Sequence, residues 1–222
     1  MMYRLLLAVV GLANLPYIRT CCSPDVLQGN AMYYGYMVEE KESYQNMVKF
    51  YYDADKKKIA TITTNMGNRT GQVRDIYDFA ARKRYVITDN SSCNVTKLKR
   101  SFEKICVPSS AKFMGSADLG NSEAKMSVDM YRLKVKKGKM SGEADIMVTP
   151  MDGGKCTLVG VVMSGGKDGE IQMAETSVYM NFTFEISDKS VFQPPKQCYR
   201  NNESESLLFE VLGGIRREIY IF

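Results

Sequence analysis

Apolar and polar residues alternate with a period of two through most of the chain, which is the signature of half-buried β-strands. The most regular stretch runs from residue 171 to 186. There Val178, Met180, Phe182, Phe184 and Ile186 share one face, while Glu175, Ser177, Asn181, Thr183 and Glu185 share the other with Tyr179. The first face is expected to be buried and the second wet. Further strands are predicted over 31–39, 45–52, 57–65, 72–77, 84–89, 94–99, 125–135, 140–148 and 155–164. Residues 53–56, 66–71 and 165–169 carry the Gly, Asn and Asp of turns. Ten strands with short links predict an all-β antiparallel meander that folds over itself into a sandwich or open barrel. The strand from Lys125 has an apolar face, Met126, Val128 and Met130, that continues as Arg132, Lys134 and Lys136. Such a strand either runs from a core past a charged rim or twists into solvent.

The ends depart from this pattern. Arg4 precedes the apolar run from Leu5 to Ala13, the length of a secretory signal core and too short to span a bilayer. A signal peptide is therefore expected over 1–20, cut between residues 13 and 20, followed by one β domain over 21–200. Beyond it, Leu207, Leu208, Val211, Leu212, Ile215 and Ile219 recur at helical spacing, broken at Gly213 and Gly214, so the apolar tail 201–222 is expected to be helical. It packs on the sheet or lies on a membrane surface.

Composition narrows the chemistry. The six cysteines, Cys21, Cys22, Cys93, Cys106, Cys156 and Cys198, follow the signal segment and are even in number, as in an exported disulfide framework. Five sequons, at Asn68, Asn90, Asn94, Asn181 and Asn202, point to N-glycosylation. The chain has no histidine, which removes Ser-His-Asp and Cys-His catalysis and His-ligated metals. Phosphate-cradling glycine loops are absent too, so the chain reads as a binder and not an enzyme, with no cofactor required. For Ca2+ there are loose acidic groups, Asp75 with Asp78 and Asp168 with Glu170, but no DxDxDG loop, and the metal ligands are left unassigned. A net charge of +5 is too small to suggest nucleic acid. The basic stretch 132–139 is either a solvated hairpin end or a contact for anionic headgroups. Fifteen Met and fourteen Tyr accompany no Trp, and Met126, Met130, Met147, Met163, Met173 and Met180 fall in strand runs. Flexible thioethers suit either ordinary core filling or an adaptable pocket for acyl chains.

These motifs together resemble the ependymin-related proteins. The resemblance is carried by Cys21-Cys22-Ser23-Pro24 with Gln28-Gly29, by Phe50-Tyr51-Tyr52-Asp53, and by Tyr77-Asp78-Phe79 leading to Tyr85-Val86-Ile87-Thr88-Asp89 and Cys93. It continues through Met114-Gly115-Ser116 and Lys155-Cys156 to Ser190-Val191-Phe192-Gln193-Pro194-Pro195 before Cys198. Leu27 stands where the family often has Trp. The resemblance implies a secreted glycoprotein whose two antiparallel sheets stack and curl around a hydrophobic pocket, similar to bacterial lipoprotein-carrier folds. It further implies lipid binding, a homodimer, links to calcium, extracellular matrix and lysosomes, and bridges Cys93–Cys198 and Cys21–Cys156. Cys22 and Cys106 are then left to pair with each other. The expected function is a carrier or sensor of an amphipathic lipid, a fatty acid or phospholipid. Met126, Val128, Met130, Val178, Met180, Phe182 and Phe184 would line the pocket, with Arg132 or Lys134 near the headgroup. The alternative is a matrix-adhesion or signalling glycoprotein, calcium-associated, with a closed core.

Overall fold

The computed structural model describes residues 20–65, 71–89, 92–137 and 139–199. The expected signal segment up to residue 19, the apolar tail, and the sequons at Asn68, Asn90 and Asn202 lie outside the described residues.

Eleven strands form a single antiparallel sheet: β1 (Val26–Met37), β2 (Glu42–Asp53), β3 (Lys58–Asn65), β4 (Gln72–Asp78), β5 (Lys83–Thr88), β6 (Ser92–Lys97), β7 (Lys112–Gly120), β8 (Lys125–Lys137), β9 (Met140–Pro150), β10 (Cys156–Lys167) and β11 (Glu170–Thr183). Their order is β6-β5-β4-β3-β2-β1-β11-β10-β9-β8-β7. The all-β reading holds, and the two sheets expected are halves of one. Each half is a simple meander, and the first strand of one pairs with the last strand of the other, Ala31 opposite Tyr179 and Tyr33 opposite Ser177. No local pattern encodes that pairing. The strand missing from the sequence reading is β7, an edge strand whose residues are exposed on both faces except for the half-buried Gly115.

Because register pairs share a face, the sheet's two sides can be named by Phe50 and Tyr51 of β2. On the Phe50 side, one core joins Ala31 and Tyr33 (β1), Phe50 and Tyr52 (β2), Leu133 (β8), Ile146 (β9), Met163 (β10) and Tyr179 (β11). The segment 98–111 closes it, with Phe102 stacked on Tyr52 at 6.0 Å and Val107 buried beside them. Phe50 and Tyr52 are wholly buried, and side chains of this kind each contribute about 1.5–3 kcal/mol by leaving water.

On the Tyr51 side, a second core occupies the other half of the sheet. Tyr51, Ala60, Ile76, Tyr85 and Val95, consecutive register partners across β2 to β6, are covered by Ile186, Val191, Phe192 and Cys198 from the segment after β11. That segment is fastened by Arg74 donating to the Gln193 carbonyl and by Asp188 accepting from the Ser190 amide. The sheet thus buries opposite faces in its two halves. They overlap at β2, where Phe50 through Asp53 are buried in succession.

All six cysteines are bridged: Cys21–Cys156, Cys22–Cys106 and Cys93–Cys198, the pairs the family resemblance implies. The first two tie the start of the domain to β10 and to the 98–111 segment. The third pins the covering segment to β6.

Candidate functional site: the methionine row

Where the second core ends, the Tyr51 side of β1, β11, β10 and β9 is open to solvent. Tyr34, Tyr36, Met47, Val162 and Val178 are each between 40% and 46% exposed there. Register builds the surface row by row. The first row is Met47, Met32, Val178, Gly160, Met147 and Met130, crossing β2, β1, β11, β10, β9 and β8. Six strands span roughly 24 Å at the usual inter-strand spacing. Gly160 belongs to the row because a Cβ there would sit 2.8 Å from Cε of Met147, so the glycine leaves room for the thioether to lie over it. The Tyr34 hydroxyl donates to Sδ of Met32 at 3.7 Å.

The second row, Tyr34, Thr176, Val162, Asp145 and Arg132, is mixed. The third, Tyr36, Ala174, Ser164, Glu143 and Lys134, is more polar. An open depression of about 420 Å³ lies over these two rows, lined by Tyr34, Tyr36, Val162, Ala174, Glu143 and Asp145. A second, of about 400 Å³, adjoins it at Lys134, Lys136, Gly165 and Ile171. At the charged end, Nε and Nη2 of Arg132 donate to the two Asp145 oxygens at 2.7 and 2.8 Å, and Glu143 lies 3.2 Å from Arg132 and 3.3 Å from Lys134. The Arg132 hydrogen bond holds the Asp145 carboxyl below its ordinary range and raises the guanidinium in turn. The surface therefore grades from thioether through tyrosine to paired charges.

Five of the seven residues expected to line a lipid pocket lie on this side: Met126, Val128, Met130, Val178 and Met180. The side is not the interior, however. Val178 is 42% exposed, whereas Glu175 and Ser177, expected wet, are 2% and 1% exposed. The reversal has a physical cause: Tyr44 donates its hydroxyl to Glu175, and the Tyr179 ring packs edge-on against Tyr33 and Phe50. Phe182 leaves the group because Asn181, at φ 56°, inserts a bulge that turns the next side chain to the opposite side, 5.9 Å from Phe50. Phe184 lies beyond the strand and is half exposed, and Ile186 enters the second core. Among the others, Val128 is buried and Met126 is exposed opposite Leu119. Sequence reasoning missed Met32, Met47, Tyr34 and Val162. Their alternation is present in the chain, but only strand order brings them together.

Three of the four acidic groups weighed for calcium are ion-paired. Asp75 pairs with Arg84, Asp78 with Lys58 at 2.8 Å, and Asp168 with Lys139 at 3.7 Å. Among the described residues no group of three or more Cys, Asp or Glu is placed to hold a metal ion. The sequon residues Asn94 and Asn181 are both exposed.

No curated protein matches the chain in sequence. Among solved structures it is similar to the crystal structure of LolA superfamily protein NE2245 from Nitrosomonas europaea. The identity is 7% and the TM-score 0.35, over 77% of this chain and 91% of that one, a likeness that carries no argument for ligand or activity. The ependymin family model matches residues 67–198. That match takes in the segment covering the second core, the strands of the charged end and the Cys93–Cys198 bridge, and it covers more than half of the sequence: the chain belongs to the ependymin family.

Proposed function

We propose that this protein is a secreted, non-enzymatic glycoprotein that binds an amphipathic lipid, a fatty acid or phospholipid, along the methionine row and its adjoining tyrosines, as carrier or sensor. The observation that carries the reading is the register row from Met47 to Met130, in which Met47 and Val178 are exposed and Met32, Met147 and Met130 are half-buried. Partly exposed apolar side chains gathered in one row favour a contact site, and thioethers adapt to an irregular chain at little cost. The acyl chain would lie across the strands on Met32, Val178 and Met147. The headgroup would reach Lys134 and Glu143, whose paired charges suit a zwitterionic group. This reading moves the ligand from between two sheets, where Phe50, Tyr33, Ile146 and Tyr179 fill the space, to the open side. Three disulfides support the extracellular assignment. No cofactor is required.

The test is native mass spectrometry and lipid extraction of protein secreted by eukaryotic cells, beside Met32→Glu and Val178→Glu. Co-purified lipid that both substitutions remove supports the reading. Protein that carries no lipid and ignores fluorescent fatty acids and phospholipids overturns it. The openness of the depression favours one second reading, adhesion or self-association through the same face, as in a homodimer. That reading predicts that both variants lower the sedimentation coefficient or matrix attachment without any change in lipid content.

A further inference from the structure

Away from the basic run 132–139, the sheet gathers a second concentration of positive charge. At the far end of β3 to β6, register sets Lys58, Asp78, Lys83 and Lys97 in one row across four strands. The backbone adds to it from both sides. The Phe79 amide bonds to the Lys57 carbonyl and the Leu98 amide to the Arg82 carbonyl, which places Lys57 and Arg82 at the same end, with Lys99 and Arg100 following. Arg100 is steadied over the rings of Phe79 and Tyr77, 5.5 and 5.8 Å from their centroids.

Lys57, Arg82, Lys97, Lys99 and Arg100 are all exposed. None forms an ion pair with another described residue, whereas Lys58 is answered by Asp78. The remaining acids nearby in sequence, Asp55 and Glu103, leave the cations in excess. Lys57 and Arg82 hold φ values of 55° and 56°, a left-handed conformation that Gly or Asn adopts at less cost. Backbone needs therefore do not explain cations in these turns.

We propose that this end of the sheet binds a sulfated glycosaminoglycan. The partner is a polyanion with repeated charges, because the exposed cations are spread along the ends of four strands, β3 to β6, over roughly 15 Å at the inter-strand spacing. It gains little from apolar insertion, since the bulky Phe79, Tyr85 and Leu98 are at most 9% exposed, Tyr77 is half-buried under Arg100, and the exposed Ala80 and Ala81 are small. That disfavours a bilayer, which rewards exposed apolar side chains as well as charge. The site lies on β3 to β6, strands that the methionine row does not cross, and is independent of lipid binding.

The experiment is binding of the full secreted chain to immobilised heparin across a salt series. R82Q/K97Q/K99Q is compared with a charge-matched variant of exposed lysines elsewhere, K112Q/K125Q/K167Q. Heparin binding that weakens about tenfold or more in the first variant and stays near wild type in the second supports the site, as expected for a local charge array. Four outcomes overturn it: no binding of the wild type, equal losses in both variants, equal binding to desulfated heparin, or binding to phosphatidylserine vesicles in place of heparin.

Discussion

Tyr44 reaches across Gly35 to donate its hydroxyl to the Glu175 carboxylate, linking β2 to β11 over the strand between them. A Cβ on Gly35 would collide with the Tyr44 ring, so the glycine is what opens the path. Tyr44→Phe removes a donor to a carboxylate that is 2% exposed and is expected to cost about 1–3 kcal/mol. Gly35→Ala is expected to destabilise as well, by displacing the ring. Urea unfolding of both variants checks this, and wild-type stability in Tyr44→Phe refutes it.

Asn181 serves two readings, sequon and bulge, and substitutions separate them. Asn181→Gly and Asn181→Gln both abolish a glycan at this position. Gly adopts the observed φ of 56° freely, whereas Gln pays about 1 kcal/mol for the left-handed conformation. Equal mass loss with a lower Tm only for Gln is expected. Equal Tm values would mean that the bulge makes no backbone demand.

Cys93→Ser frees the covering segment from β6, because Cys198 anchors the stretch that carries Val191 and Phe192 into the second core. The expected loss is about 2–5 kcal/mol, with less protein secreted. Thermal melting and secretion yield measure the two effects.

The Tyr77 hydroxyl is raised above its ordinary pKa, first by burial and then by the negative charge of Asp75, to which it donates at 3.1 Å. Above pH ~10 the unfolded chain gives up this proton more readily than the folded one. The stability it contributes is therefore intact below that pH and is lost as pH rises further. Tyr77→Phe should flatten this alkaline decline in a denaturation series run from pH 8 to 11.

Strand positions were legible where one face is buried and the other more open, as in β1 and β11. They were not legible in β7, where Phe113, Met114 and Leu119 are exposed among Lys112 and Asp118. Choosing which face is buried is a different problem. In β11, hydropathy ranks Val178 and Met180 above Glu175 and Ser177, yet the partners that bury Glu175 come from β2, more than a hundred residues away. The methionine row hid for the same reason. Of its members, the sequence pattern places Val178 and Met130 on apolar strand faces but not Met32 and Met47, and the alignment of all of them depends on β1 pairing with β11. The cationic end shows the same limit, since residues near 57, 82 and 97 converge only through register.

The short stretch from Phe50 to Asp53, enclosed on both sides, makes the molecule indivisible. A cut between the halves of the sheet would leave each fragment with a naked wall where that strand had stood, and neither could keep its own interior dry. The half that carries most of the methionine row and the half that carries the cationic strand ends thus share one wall, and a substitution that opens it exposes both interiors to water.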